Sequence, residues 1–255
     1  MERAQVGDWP RGLIRAFGDF FLPVSCVICD RLFSQSDEGV VCGRCWTLVS
    51  ELPNPRCIRC GHPSGPHACQ WCDNLPAFVR SARSYCWIGA GAGKDIVHAL
   101  KYEGWTRAAE KMGERMSRVR FPPDVEEEHP VLIPIPLSTA RERERGFNQS
   151  ELLAISVMKW RHAEMMSDVL CRASALRSQT QLTPGERLSN VAGAFSVSNN
   201  VRSRIRGRHL MLVDDVITTG ATLRAAAEAL FAAGARTISY MTFGRAPASG
   251  DRLFP

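Results

Sequence analysis

Eight of the ten cysteines in this 255-residue chain fall in four CxxC pairs between residues 26 and 72, and no other feature limits the fold so tightly. The pairs are "CVIC", "CGRC", "CIRC" and "CQWC", which supply Cys26, Cys29, Cys42, Cys45, Cys57, Cys60, Cys69 and Cys72. A CxxC turn brings two thiolates onto one ion from a single tight loop. Two such turns complete a tetrahedron of soft ligands that suits zinc and leaves no open position for a substrate. The expectation is therefore two structural zinc ions. Repeated spacing with Gly43 and Gly61 beside the turns argues against an iron–sulfur cluster and against a redox dithiol, which needs only one CxxC at a helix. Taken in order, the pairs give Cys26/29/42/45 and Cys57/60/69/72, while an interleaved pairing stays open. His62 and His67 lie near enough to replace a thiolate, yet with four cysteines per site they read as bystanders. A segment this short buries too little apolar surface to fold unaided, so metal must supply roughly 10–16 kcal/mol per site near neutral pH. Paired cysteines of this spacing favour metal over disulfides and so a reducing, cytoplasmic location. Cys86 and Cys171 have no close partner and read as core residues.

The organisation expected around this module is threefold. Residues 1–24, with "RGLIRAFGDFFLP", read as an amphipathic helix docked on the protein. Residues 25–76 form the cysteine module, and residues 77–255 form the main domain. No apolar stretch approaches the ~20 residues that cross a bilayer, so no membrane span is expected. The net charge of +6 is local: residues 141–208 hold twelve Lys/Arg against six Asp/Glu, and the rest of the chain balances. Either a solvated face or an anion site accounts for it. The front 84 residues, nine Lys/Arg against eight Asp/Glu, become net negative once two tetrathiolate sites form, so charge alone gives them no general grip on phosphate.

After the cysteine module, apolar residues recur with alternating strand and helix periods: "VRSARSYCWIG", "GKDIVHALKYEG", "TRAAEKMGERMSRV", "PVLIPIPLS", "NQSELLAISVMKW", "GRHLMLVDDV", "ATLRAAAEALFAAG" and "ARTISYMTFGRA". That order implies an α/β fold, a mostly parallel sheet with helices on both faces and ligands beyond the carboxyl ends of its strands. "GAGAGK" at 89–94 fits neither GxxxxGK[ST] nor GxGxxG and reads as a flexible lead into a helix. "LMLVDDVITTGATL" at 210–223 is more specific. A greasy strand ends in Asp214 and Asp215, expected to emerge charged past the sheet, and Thr218, Thr219, Gly220, Ala221 and Thr222 turn into a helix. Backbone N–H groups and hydroxyls at a helix N-terminus cradle phosphate. Carboxylates beside phosphate repel it unless a polyol or divalent metal lies between, and a ribose 5-phosphate has that shape.

This stretch resembles the signature of type I phosphoribosyltransferases, which bind phosphoribosyl pyrophosphate (PRPP). The order of four CxxC pairs, "LKYEG", "IPIPLS", "RERERGFNQSELLA", "RSQTQLTPGERLSNVAGAF" and "LMLVDDVITTGATL" is similar to the ComF family, bacterial proteins linked to DNA uptake in natural competence. The resemblance implies a double zinc ribbon ahead of a phosphoribosyltransferase-like domain, PRPP with Mg²⁺ as ligand, and a role with incoming single-stranded DNA. It also implies the ribbon as a docking module for the uptake machinery or a guide for the strand. Pro136, Leu137, Ser138 and Lys101 become candidate pyrophosphate contacts. Asp214, Asp215 and Arg187 are candidate catalytic residues should the chain transfer phosphoribosyl groups. Arg141, Arg143, Arg145, Phe147, Asn148, Gln149 and Gln181 are candidates for anion or nucleic-acid contact, with Asn190 on the same polar loop as Arg187. "RGFNQ" suits either a stacked nucleotide or the anchoring of its arginine loop. In purine-salvage relatives an aspartate of the signature loop acts on the base; Thr218 stands there in this chain, and no acceptor is identifiable.

Overall fold

The structure, a computed structural model, describes residues 24–33, 39–63, 69–172, 194–247 and 251. Most of the expected N-terminal helix, His67, and the polar loop with Gln181, Arg187 and Asn190 lie outside the described residues.

The first cysteine turn sits on a small antiparallel hairpin, β1 (Val24–Ser25) with β2 (Leu32–Phe33), and the second opens a short helix, α1 (Gly43–Thr47). The third and fourth turns meet beside a 3-10 turn at Gln70–Asn74. The main domain then begins with β3 (Val79–Trp87), followed by α2 (Ala92–Tyr102), α3 (Ala108–Ser117) and α4 (Pro123–Glu127). Next come β4 (Val131–Pro134), α5 (Thr139–Arg145) and α6 (Gln149–Arg161). A separate antiparallel pair, β5 (Leu170–Arg172) and β6 (Phe195–Val197), precedes α7 (Arg202–Ile205), β7 (His209–Ile217), α8 (Ala221–Ala232) and β8 (Thr237–Arg245).

Four strands form one sheet in the order β3-β8-β7-β4, every pair parallel, as the alternation of strands and helices predicts. Parallel strands are buried on both faces, and the period of two sorts their side chains. Met211, Val213, Met241 and Phe243 enter one core with Ile96, Leu100, Met112 and Leu153 of α2, α3 and α6. Leu210, Leu212, Ile238 and Tyr240 enter the other with Leu223, Ala226 and Leu230 of α8. Helices α5 and α6 are bounded by caps written in the sequence: Ser138 Oγ accepts from Arg141 N, Asn148 Oδ1 accepts from Ser150 N, and Gly146 closes α5 at φ +76°.

The cysteine module covers the free edge of β3. Leu52 N donates to Tyr85 O at 3.1 Å and Trp87 N to Ser50 O at 2.8 Å, so donors and acceptors of an exposed edge are paired. Gly61, at φ +68°, lies so close that a Cβ there would stand 2.2 Å from Ala82 O. Trp46 meets Phe243 edge-on at 6.3 Å, which ties α1 to the sheet. Of the two unpaired cysteines, Cys86 is buried as expected, but Cys171 is exposed. It sits on the short β5–β6 pair, where Cys171 faces Ser196 across the ladder and its side chain points away from the core.

Candidate functional site

The cysteines assemble sequentially: Cys26, Cys29, Cys42 and Cys45 in one cluster, Cys57, Cys60, Cys69 and Cys72 in the other, all sulfurs of each within 4.8 Å of one another. Each set of four thiols fits one tetrahedral zinc ion, with no position left for a substrate. The two histidine bystanders part here: His62 stacks on Trp71 at 5.3 Å and bonds Asp251 through Nε2 at 2.8 Å, away from metal duty. Arg245, at the end of β8, brings the second cluster to the sheet, giving an N–H to Cys60 O. Its charge stays buried beside the thiols of Cys60, Cys69 and Cys57.

The second centre lies at the carboxyl ends of β4 and β7. Asp214 and Asp215 do not stand exposed beyond the sheet: they are 8% and 4% exposed. The strand does not end before them. β7 continues to Ile217, which pairs with Arg245 of β8 and accepts from Ala246 N at 2.8 Å, so both aspartates lie inside the ladder. Asp214 Oδ1 accepts from Ser150 Oγ at 2.7 Å and from Asp215 N at 2.9 Å. Burial, and then the neighbouring Asp215 charge, push the Asp214 carboxyl up to about 8, which favours its protonated form. Asp215 instead forms an ion pair with Lys101, which reaches over from the last turn of α2. Sequence reasoning missed Ser150, although it is the residue that directly follows "RGFNQ".

These groups face a cleft of about 450 Å3. Thr218 and Thr222 border it beside the two aspartates, and Leu137 forms part of its floor. Arg141 and Arg145 of α5 and Arg172 of β5 line the same cleft. Arg145 lies 5.1 Å above the Tyr102 ring and donates to Gln149 Oε1 at 2.9 Å. Arg172 was unforeseen, its one sequence signal being its place in the basic stretch 141–208. The turn itself splits: Gly220, at φ +78°, reverses the chain into α8, and Thr219 and Gly220 border a narrow crevice under the second cysteine cluster, next to Cys60 and Arg245. Ala221 heads α8, its N–H turned back to Thr219 Oγ1 at 3.4 Å.

Other candidates fall away from the cleft. Arg143 is exposed on α5 and borders none of it. Pro136 is half-buried, and Ser138 serves as the cap of α5. Phe147 is half-buried and packs against the apolar core. Asn148 caps α6 and donates to Ile135 O at 3.1 Å. Of the "RGFNQ" stretch, Arg145 and Gln149 line the cleft, while Phe147 and Asn148 pack and cap beside it. Two histidines have carboxylate partners: His209 bonds Glu128 and Ser239, and His98 bonds Glu103. Arg204 and Arg208, candidates for strand contact, pair with Asp168 and Glu164.

Family models describe both halves of the chain. A double zinc ribbon domain matches residues 17–75, and a phosphoribosyl transferase domain matches residues 148–252. Competence protein ComFC of Bacillus subtilis is 29% identical over 237 residues, 86% of this chain and 94% of that protein. DNA utilization protein YhgH of Escherichia coli O157:H7 is 36% identical over 107 residues, 42% of this chain and 45% of YhgH. Competence protein F of Haemophilus influenzae is 32% identical over 116 residues, 46% and 50% of the two chains. Among solved structures, glutamine PRPP amidotransferase of Bacillus subtilis aligns at 20% identity and a TM-score of 0.37, over 53% of this chain and 26% of that one. Two four-cysteine clusters under a double zinc ribbon match, a phosphoribosyl transferase match on the sheet that follows, and the likeness to competence proteins ComFC and F place the chain in the ComF family.

Proposed function

We propose that this protein binds PRPP, or another 5-phosphoribosyl ligand, and works on incoming single-stranded DNA during uptake. The observation that carries the ligand is the carboxylate pair Asp214–Asp215 with Thr218 and Thr222, lining one cleft together with Lys101, Arg141, Arg145 and Arg172. The N-terminus of α8 suits the 5-phosphate, and the aspartates suit the two ribose hydroxyls. Lys101, Arg141 and Arg145, with Leu137 beside them, suit the pyrophosphate. The donor set fits a divalent cation, since two carboxylates open on a polar cleft; Mg²⁺ bound with PRPP would offset the pyrophosphate charge. Lys101 neutralises Asp215 in the meantime, and a hydroxyl-bearing ligand would have to take its place.

The DNA role rests on the names of the relatives, competence protein and DNA utilization protein, and on the basic stretch 141–208. The ribbon, net negative with zinc, suits a protein partner of the uptake machinery better than a phosphate backbone. Labelled oligo(dT) titrated at rising salt tests this: affinity should fall linearly on a log–log plot as counterions compete, and salt-indifferent binding would overturn the electrostatic version.

A second reading is favoured by the three arginines that line the cleft with the aspartates. Cations placed to stabilise a leaving pyrophosphate are what a phosphoribosyltransferase needs at C1. Pyrophosphate released from PRPP on addition of an acceptor would establish it. Steady PRPP against a library of bases and amines would leave the binding role alone.

A further inference from the structure

A second cleft, of about 400 Å3, lies at the seam between the cysteine module and the main domain, far along the chain from the aspartate turn. Arg56, Arg83, Arg115, Arg118 and Arg120 line it, with Glu51 as the one carboxylate among the lining residues. The innermost cation, Arg83, is 7% exposed and bonds only neutral carbonyls: Nε to Arg120 O at 3.1 Å, one terminal nitrogen to Ala82 O at 2.8 Å, the other to Ile58 O at 2.9 Å. Arg56 likewise bonds the carbonyls of Leu52, Pro53 and Ser84. Each guanidinium has five N–H groups, and three are used in each case. Burial, and then the charge of Arg56, lower the Arg83 pKa to about 10, which is the mark of buried cations crowded together. Glu51 is engaged by the Tyr85 hydroxyl at 2.8 Å, and Glu114 next to the rim is shared by Lys111 and Arg118. Arg115 lies 3.7 Å over the Trp46 ring.

Arginines that only clamp a seam need no hollow between them. Arg59 shows the difference: it holds the carbonyls of Val79, Cys72, Leu75 and Pro76 and borders neither cleft. A hollow within the size range of small-ligand sites, walled by five guanidiniums whose planar forks match phosphate oxygens, calls for an anion. We propose that this seam cleft is a second phosphate site, separate from the aspartate turn, that takes the phosphate group of a phosphorylated ligand between the ribbon and the sheet edge. It does not depend on the PRPP reading.

Inorganic phosphate titrated calorimetrically into the full, zinc-loaded chain is the test, with two variants. Arg118 and Arg120 are exposed at the rim, and Glu114 keeps Lys111 if Arg118 is lost, so Arg118→Ala/Arg120→Ala keeps the fold. Loss of two charge-assisted contacts should weaken one phosphate component about tenfold or more, while Thr219→Ala leaves that component unchanged. Isotherms of the double variant that superimpose on the parent, or weakening of the same component by Thr219→Ala, overturn the proposal. A Thr219→Ala variant without effect on any component sinks the PRPP turn and leaves the seam untouched. Competition names the source: displacement by thymidine 5′-monophosphate but not by oligo(dT) places a small phosphomonoester there, and displacement by oligo(dT) at lower concentration places a phosphodiester backbone.

Discussion

The cysteine clusters and the aspartate pair both gather groups that repel one another once ionised, yet the fold closes the first and opens the second. In each cysteine cluster four sulfurs face inward on one point, and a metal satisfies all of them together. The aspartates divide their duties. Asp214 turns to Ser150 and a backbone N–H and favours its protonated form, whereas Asp215 meets Lys101 at the wall of a 450 Å3 cleft. A closed cluster can serve only structure; an open one keeps a free energy that a ligand can release. Within the closed kind there is a further split. Cys26, Cys42 and Cys45 belong to the apolar core with Ile96 and Met112, while the second cluster is held by Arg245, Arg59 and backbone pairing.

The largest effect expected from this contrast is on metal. Losing a zinc removes roughly 10–16 kcal/mol from a site, against total stabilities of usually 5–15 kcal/mol. Cys45→Ser should abolish the cooperative thermal transition, read by near-ultraviolet dichroism. Cys69→Ser, in a half-exposed position outside both cores, should release one zinc per chain and keep the sheet folded; equal collapse of both variants would break the distinction. Next in size is Trp46→Ala, which removes the ring between the first cluster and Phe243 and should cost about 3–5 kcal/mol in denaturant midpoint analysis.

Charge at the open cluster should act in the opposite direction. The raised Asp214 pKa means that the folded state holds a proton the unfolded chain releases near pH 4. Stability from this group is thus full below pH 4 and declines as pH rises towards about 8. Asp214→Asn keeps the acceptor for Ser150 and for Asp215 N, so it should flatten that slope. At pH 9 it should unfold at a higher denaturant midpoint than the parent while binding ligand more weakly. A variant less stable than the parent at pH 9 would contradict the burial account. The smallest effect belongs to charges outside both clusters. Arg204→Ala and Arg208→Ala break exposed pairs with Asp168 and Glu164 and should change stability by about 0–1 kcal/mol. Larger losses would mean that these pairs are more than surface contacts.

Much of this was legible in the chain because short-range patterns decide it. CxxC spacing marks the thiols as metal ligands, though only the structure shows the sequential pairing, and the alternation of strand and helix periods implies a mostly parallel sheet. The "DDVITTGAT" stretch marks the end of a greasy strand and a turn into a helix, and that much is local. What the sequence hid depends on what lies across space. The burial of Asp214 follows from β8 continuing beside β7 to Arg245 and from Ser150 on α6, 64 residues away. Phe147 reads as a stacking face, yet it packs half-buried against the core. The seam arginines are scattered from Arg56 to Arg120, so no window of sequence shows them as one group.

The open cluster is tested most directly by calorimetric titration of PRPP with Mg²⁺ at pH 6.5, in buffers of different ionisation enthalpy, on the parent chain and Asp215→Asn. Because Asp214 favours its protonated form and a cation-bearing ligand must displace that proton, the account predicts one saturable site per chain, a proton released on binding, and at least tenfold weaker binding in the variant. Heat-silent titration at millimolar PRPP, or binding unchanged by Asp215→Asn, would contradict it.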